Sequence, residues 1–367
     1  MNDIGRRLRE LPAPGEEAAF RRAHPLAMAT VGAERPPRRR RVARVLAPLA
    51  LALIVAGMLL TAAGADVRSW ISDAVTPPKS EPVRAEGLPG GGRLLTAGRA
   101  GLYVRTDAGA RRIFGDVGEA AWSPHGLFIA ATRGIELIAV SPTGERRWAL
   151  HHDAPIRHPR WAPSGYQIAY LSGGSIHLVD GDGTDDAPLG HADGAAPAWR
   201  PLRGDSEIAF ADGRSVVLRD AIDRRVIFIT PVTRRPLALS WSADGQRLLV
   251  VERDRIQLLD ARGRLLRTSR APRGTRNVAG TFAPGGRSWT LVRVQGGSSR
   301  LMLVQGSSTL KVLQLAGRVD GLAYSPAGRW LALGVGRAVW LVRPGYHAGL
   351  RGVHTVPAHG RLMDWAP

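Results

Sequence analysis

The amino-acid sequence predicts an all-β fold, a seven-bladed β-propeller that is closed by pairing of its terminal strands and preceded by one transmembrane helix. Three observations support this prediction. A motif of one aromatic residue and a turn recurs at a nearly constant spacing, short strands and turns alternate between its copies, and an uncharged segment of 21 residues lies upstream. A repeat of about 40 residues that contains four short strands is typical of propeller blades.

The recurring motif is most complete at Trp122-Ser123-Pro124-His125-Gly126. Successive aromatic residues of the motif are 38 to 42 positions apart. We predict that each aromatic side chain packs between two blades, and that Pro and Gly form the turn that follows it. The seven predicted blade anchors are Trp122, Trp161, Trp199, Trp241, Phe282, Tyr324 and Trp365.

Each unit is predicted to contain four antiparallel strands. In the first complete unit, alternating apolar residues predict strands at 117–122, 127–132, 135–140 and 146–150, with a tight hairpin turn at Arg133-Gly134. Later units repeat this order of strands and turns. Four strands in each repeat are the number found in a propeller blade.

The two ends of the repeat region complement each other. Residues 361–367 supply only the first strand of a unit, and residues 93–115 supply the three strands that such a unit lacks. Because a ring must close to hide its open strand edges, we predict that these segments form one shared blade. Six complete units and the shared one give a seven-bladed propeller over residues 93–367.

An aromatic-Ser-Pro-x-Gly turn followed by an Ile-Ala strand, as in 122–130 and 161–169, resembles the TolB-like and WD-repeat-like propellers of bacteria. The resemblance extends over residues 93–367. The Trp-Asp signature and the His of eukaryotic WD repeats are missing, so the TolB-like group is nearer. The resemblance implies a propeller fold and a role in protein–protein contact, without implying one chemistry.

The residues before the propeller predict a membrane anchor. Residues 1–44 form a basic tail with eleven Arg against five Asp or Glu, residues 45–65 are uncharged and long enough to span a bilayer, and residues 66–92 form a stalk. The arginine excess places the tail in the cytoplasm and the propeller outside. The alternative is a signal peptide cleaved after Ala63-Gly64-Ala65, but 44 polar residues are long for its first region.

The tail itself has two interpretations. It is either a disordered basic segment or a docking peptide for a cytoplasmic regulator, such as a sigma factor. The layout of tail, anchor and outer domain is also similar to that of bacterial transmembrane regulators.

The composition and motifs give no sign of catalysis. The chain has no Cys, which excludes disulfides, thiolate metal sites and a cysteine nucleophile. It contains no Gly-x-Ser-x-Gly elbow, phosphate-binding loop or His-Glu-x-x-His motif. We therefore predict a protein that is not an enzyme and has no cofactor. The net charge of +20 rests almost entirely on Arg, which we attribute to a G+C-rich bacterial genome, and it favours anionic partners.

Two clusters have residue types that can bind metals. One contains Asp180, Asp182, Asp185 and Asp186, and we interpret it as a turn rather than a calcium loop, because other units also have Asp and Gly there. The other contains His151, His152, Asp153 and His158, and it lacks a recognised ligand spacing. We interpret it as an exposed loop between blades, so no metal site is predicted.

Cationic residues recur in the segments that join one blade to the next. All such segments open on one face of a propeller, so they would form a basic ring, which Glu119 and Asp320 interrupt. The candidate binding residues are Arg157, His158, Arg234, Arg235, Arg273, Arg276, Arg318 and Arg361.

We therefore expect a single-pass protein of the cell membrane whose extracytoplasmic propeller is a binding scaffold or sensor for an envelope protein or an anionic ligand. It could also signal through its N-terminal tail. The alternatives are an envelope-assembly propeller released by signal cleavage and, with less support, a propeller enzyme of the lactonase or lyase type. The expected location argues against a nucleic-acid partner.

Overall fold

A computed structural model describes residues 83–84, 87–201, 207–306, 308–343 and 351–367. The predicted tail, the predicted transmembrane helix and most of the predicted stalk lie outside these residues. No helix within the described ranges is long and apolar enough to cross a membrane.

The described strands form seven sheets, which we number as blades in chain order. Blade 1 contains β2 (Arg93–Gly98), β3 (Gly101–Thr106), β4 (Gly109–Phe114) and the last strand, β29 (Arg361–Ala366). Blade 2 contains β5 (Ala120–Trp122), β6 (Ile129–Arg133), β7 (Glu136–Val140) and β8 (Arg146–His151). Blade 3 contains β9 (Arg157–Trp161), β10 (Gln167–Ser172), β11 (Ser175–Asp180) and β12 (Ala187–His191). Blade 4 contains β13 (Ala198–Trp199), β14 (Glu207–Asp212), β15 (Ser215–Asp220) and β16 (Val226–Pro231).

The remaining blades have the same order of strands. Blade 5 contains β17 (Ala238–Trp241), β18 (Arg247–Val251), β19 (Arg255–Asp260) and β20 (Leu265–Arg270). Blade 6 contains β21 (Arg276–Phe282), β22 (Ser288–Gln295), β23 (Ser298–Gln305) and β24 (Ser308–Ala316). Blade 7 contains β25 (Val319–Tyr324), β26 (Leu331–Val335), β27 (Ala338–Arg343) and β28 (Arg351–Pro357), and the short β1 (Val83–Arg84) pairs with its outer edge. The predicted seven-bladed propeller is confirmed.

The predicted shared blade is also confirmed. β29 pairs antiparallel with β2, in a register that places Leu94 opposite Trp365 and Ala97 opposite Arg361. The Asp364 carboxylate of β29 accepts the backbone N–H of Trp122 at 3.0 Å, so the closing strand also contacts blade 2. Unlike the other pairs, β1 and β28 run parallel, and the sequence did not predict this strand.

The core of the ring lies between the blades. Seven hydrophobic clusters occur among the described residues, one at each interface between neighbouring blades. The predicted aromatic anchors end the inner strands and contribute to these interfaces, where all except the half-buried Tyr324 are buried. Three of them donate an indole N–H to a carbonyl outside their own strand: Trp199 to Arg160 at 3.1 Å, Trp241 to Ala198 at 3.1 Å, and Trp365 to Gly91 at 2.8 Å.

The turns that follow the anchors are stabilised by residues within the turns themselves. In blade 2, the Ser123 hydroxyl accepts the N–H groups of Leu127 and Phe128, so β6 begins two residues later than the sequence predicts. Gly126 has a φ of 63°, in the left-handed region that favours glycine. Ser242 and Ser325 accept N–H groups in the same way in blades 5 and 7.

Arginines join the anchors of neighbouring blades. Arg200 of blade 4 lies 5.2 Å from the centre of the Trp241 ring, and its Nε donates to the Gly245 carbonyl at 2.6 Å. Its guanidinium also pairs with Glu207 at 2.6 Å, and both side chains are largely buried. Arg247 of blade 5 has equivalent contacts with Phe282 and with the Gly286 carbonyl of blade 6. These arginines therefore stabilise the ring.

We expect Arg200→Met to destabilise the propeller by about 2–4 kcal/mol, because it leaves the Glu207 carboxylate half-buried without its cation. Denaturant unfolding of the variant and the wild type measures this difference. Arg225→Met is the control, since Arg225 and Asp223 are both exposed and 3.8 Å apart. Equal destabilisation by the two substitutions would contradict a role for Arg200 in joining blades.

Candidate functional site

Two opposite faces of the ring carry candidate surfaces. The linker face carries the connections from the outer strand of one blade to the inner strand of the next. The turn face carries the turns after the inner strands and those between the third and fourth strands. The predicted cationic residues all lie in, or next to, the connections of the linker face: Arg157, His158, Arg234, Arg235, Arg273, Arg276, Arg318 and Arg361.

Half of these cations contact acceptors of the linker face itself. His158 Nδ1 lies 2.9 Å from the Glu119 carboxylate, Arg234 Nε lies 3.1 Å from the Asp254 carboxylate, and Arg235 pairs with Asp193. Arg361 donates to the backbone carbonyl of Asp320 at 3.1 Å. No described carboxylate forms an ion pair with the other four: Arg157, Arg273, Arg276 and Arg318. The face is therefore mixed in charge rather than a continuous basic ring.

Glu119 is held in its charged form by blade 3. Although burial acts to raise the pKa of Glu119, hydrogen bonds from the His158 side chain and backbone, with the charges of His158 and Arg160, lower it to about 2. The His158 N–H donates to Glu119 Oε2 at 2.7 Å. Glu119 precedes β5 and His158 lies in β9, so this pair connects blade 2 to blade 3.

The linker face has two depressions. One has a volume of about 440 Å³ and is lined by residues that include Arg234, Arg253, Asp254 and Arg276. The other has a volume of about 590 Å³, and both signs of charge again line it, with Arg99, Arg133, Arg361, Asp116 and Asp320. Neither is lined by a set of cations alone, as a dedicated anion site would be.

The turn face carries an apolar groove that the sequence did not indicate. It has a volume of about 970 Å³, and its apolar lining consists of Phe128, Trp148, Trp161, Tyr166 and Ile222. We call these residues the aromatic groove. The Phe128 and Trp161 rings stack with centres 6.5 Å apart. Tyr166 is 79% exposed and Ile222 is 73% exposed.

The aromatic groove coincides with a departure from the repeat. The residue after the turn glycine is the groove residue Tyr166 in blade 3, whereas the equivalent position is polar in blades 5, 6 and 7, as Gln246, Arg287 and Arg329. In blade 2 it is Leu127, which does not line the groove. The fold therefore does not need an apolar residue there. An alignment of the repeats at this position would have revealed the apolar surface, whereas the predicted binding surface rested only on cationic residues between the blades.

A second cluster lies between blades 2 and 3. His152 follows β8, Tyr170 lies in β10, His177 lies in β11 and Asp186 precedes β12. The ligand atoms of His152, His177 and Asp186 all lie within 4.8 Å of one another. This group contains three residues, two His and one Asp, of types that bind metals.

The cluster combines residues that the sequence placed in separate groups. Of the four residues predicted for an exposed loop, only Asp153 is both exposed and in a loop, since the exposed His151 ends β8 and the half-buried His158 lies in β9. The His152 side chain is only 17% exposed, because it packs against Tyr170 and His177. Asp182 does stabilise a turn, since its carboxylate accepts the Thr184 N–H at 3.0 Å. Asp186 instead contacts His152.

Comparisons with known proteins identify the fold. No family model matches the chain, and no curated protein does. Among solved structures, the Cps50 (Swd1) β-propeller domain of Myceliophteria thermophila is 16% identical, with a TM-score of 0.56, and the match covers 68% of this chain and 90% of that one. Kuenenia stuttgartiensis hydrazine synthase is 13% identical, with a TM-score of 0.55, and the match covers 62% of this chain and 76% of that one.

These similarities concern the fold alone. They agree with the geometry in placing the described residues in the class of β-propellers. Because function in such folds depends on the surface residues, it has to be argued from the faces described above.

We expect the contribution of Glu119 to stability to be lost in acid. The folded-state pKa of Glu119 is about 2, below its ordinary value of 4.5, so the carboxylate stabilises the fold above pH 4.5 and loses this effect as the pH falls toward 2. The free energy of unfolding of Glu119→Gln should be lower than that of the wild type by on the order of 2 kcal/mol at pH 5.

Denaturant unfolding between pH 5 and pH 2 measures that difference. It should shrink steadily as the pH falls, because the wild-type carboxyl becomes protonated in both states. A difference that is constant over this range would mean that the Glu119 charge does not stabilise the contact between blades 2 and 3.

Proposed function

We propose that the protein is a membrane-anchored binding protein rather than an enzyme, and that its extracytoplasmic propeller binds a segment of a partner protein in the aromatic groove. The observation that carries this proposal is the groove itself, which combines exposed apolar side chains with a concave shape. Exposed apolar patches of this kind mark interaction sites on soluble domains.

The occupant that fits the groove is an extended segment with one or two apolar anchor side chains. Burying an exposed side chain such as that of Tyr166 or Ile222 contributes about 1.5–3 kcal/mol, and aromatic residues in a pocket are typical centres of binding energy. Arg147 and Asp182 also line the groove, so polar groups that flank the anchors would find partners of either sign. The apolar contacts would then provide affinity, and the polar residues of the groove would fix the orientation of the bound segment.

The linker face supports a partner less well. Half of its candidate cations already contact acceptors in the propeller, so a ligand would have to compete for them. Binding there would depend on Arg157, Arg273, Arg276 and Arg318, which are distributed over blades 3, 6 and 7. We therefore assign binding to the aromatic groove.

The sequence before the propeller supports the membrane part of the proposal. Residues 45–65 have the length and composition of a membrane span, and the arginine excess of residues 1–44 favours a cytoplasmic tail. The tail would then bind a cytoplasmic regulator, so that an event at the propeller is transmitted inward. The resemblance to TolB-like propellers of bacteria is consistent with a location in the cell envelope.

We expect a photo-crosslinking amino acid at position 166 to capture a specific partner in living cells. Introducing Ile222→Ser into the same protein should reduce the captured amount at least about tenfold, since about 1.4 kcal/mol of lost apolar contact gives that factor. Quantitative mass spectrometry of the crosslinked product measures the change.

The control is Leu265→Ser, which removes an equally apolar residue that is 54% exposed on β20, outside the aromatic groove. Capture should be unchanged in this variant. Equal loss with both substitutions, or capture that Ile222→Ser leaves unaffected, would refute binding in the groove.

We also expect the two ends of the chain to lie on opposite sides of a membrane. A proximity-labelling enzyme after residue 2 should mark cytoplasmic proteins, including one specific regulator, whereas an enzyme after Pro367 should mark envelope proteins. Labelling of one compartment by both tags would contradict the anchor. A mature N-terminus at Asp66 would instead support the signal-cleavage alternative.

A further inference from the structure

We propose that His152, His177 and Asp186 form a binding site for a divalent transition metal, with zinc as the ion that suits them best. The site lies in the crevice between blades 2 and 3. It uses different residues from the aromatic groove, so it does not rest on the proposed function.

The positions of the ligand atoms suit one ion. His152 Nε2 lies 3.1 Å from Asp186 Oδ2, and His177 Nδ1 lies 3.7 Å from Asp186 Oδ1. Around a tetrahedral zinc with bonds of about 2.1 Å, neighbouring ligand atoms are about 3.4 Å apart. These two separations are within about 0.3 Å of this value, but they reach different oxygens of the Asp186 carboxylate. With one ligand atom from each residue, the three atoms lie within 4.8 Å of one another, so the side chains would have to move slightly closer together around an ion.

The Nδ1 atom of His177 has no partner at hydrogen-bond distance among the described residues, although it lies 3.7 Å from Asp186 Oδ1. Nδ1 of His177 is buried, yet it makes no hydrogen bond in the described structure. Buried polar atoms are nearly always paired, so an unpaired imidazole nitrogen beside a carboxylate is the arrangement that a bound metal would explain.

Tyr170 positions the carboxylate. Its side chain is fully buried, and its hydroxyl donates a hydrogen bond to Asp186 Oδ1 and lies 2.6 Å from His152 Nε2. The Tyr170 and His177 rings also stack, with centres 5.3 Å apart, on directly paired positions of β10 and β11. Residues that contact the metal ligands in this way hold them in the orientation that a metal requires.

The donor set identifies the class of metal. Two imidazole nitrogens and one carboxylate are typical ligands of zinc and of other first-row transition ions. Calcium and magnesium require mostly oxygen ligands, which this group does not supply. Three protein ligands leave one position of a tetrahedral ion for water or for a group from a partner.

The test measures zinc binding by the full-length protein, purified with an affinity tag that contains no histidine and stripped of metal. We expect isothermal titration with zinc chloride to show one tight site in the wild type. Asp186→Asn and His177→Ala should weaken it at least about a hundredfold, and Tyr170→Phe should weaken it about tenfold, as loss of an outer partner does. Cobalt titration should give the visible absorption of a tetrahedral ion in the wild type and not in Asp186→Asn or His177→Ala.

His191→Ala is the matched control. His191 also pairs with a carboxylate, at 2.6 Å from Asp212, but its side chain is 65% exposed and it belongs to no group of three ligands in the described structure. This variant should bind zinc as the wild type does. Asp186→Asn replaces one oxygen by nitrogen in a partly exposed side chain, so this variant should fold. It can therefore decide the test even if His177→Ala does not fold. Equal zinc affinity of the wild type and Asp186→Asn, or equal loss in His191→Ala, would overturn the proposal.

Discussion

A ring of blades closes only if every blade meets the next at nearly the same distance and angle. In this propeller the aromatic residue at the end of the inner strand sets that relation. The indole of Trp199 donates to a carbonyl of blade 3 and that of Trp241 donates to one of blade 4, so these two anchors join their blades to the blade before by hydrogen bonds. In the closing strand, Trp365 donates to the carbonyl of Gly91, just before β2 of the same blade. All seven anchors also pack in or against the hydrophobic clusters between the blades.

This constraint explains how far the sequence could predict the structure. The spacing of the anchors and the incomplete units at the two ends depend on the closed ring, so the number of blades and the shared blade could be derived from them. The parallel pair of β1 with β28 could not, because Val83–Arg84 is too short to show a strand pattern. The cationic residues do lie together at the connections between blades, where the repeat pattern places them. Their acidic partners could not be predicted, because Glu119, Asp193 and Asp254 come from other loops than the cations that they contact.

The cluster of His152, Tyr170, His177 and Asp186 was missed for a related reason. Tyr170 and His177 face each other across two strands, and His152 comes from the preceding blade. Each residue looks ordinary in its own segment: His177 lies within a strand, and Asp186 ends an acidic turn. Only the register of β10 with β11 and the approach of β8 to blade 3 bring the four side chains together, and neither of these is a local property of the chain.

Both candidate sites include the interface between blades 2 and 3, and the aromatic groove extends further to Ile222 of blade 4. The fold needs the anchor, the turn and the apolar strand positions in every copy, so a particular function can reside only where copies differ. Blades 2 and 3 carry the cluster of His152, His177 and Asp186 and most of the aromatic groove where β8 contacts blade 3. Trp148 of β8 lines the aromatic groove and donates to the Gly181 carbonyl of blade 3 at 2.8 Å, while His152, just after β8, contacts Asp186 of the same blade. A metal held by His152, His177 and Asp186 would therefore fix β8 against blade 3, and with it one wall of the groove that we assign to the partner.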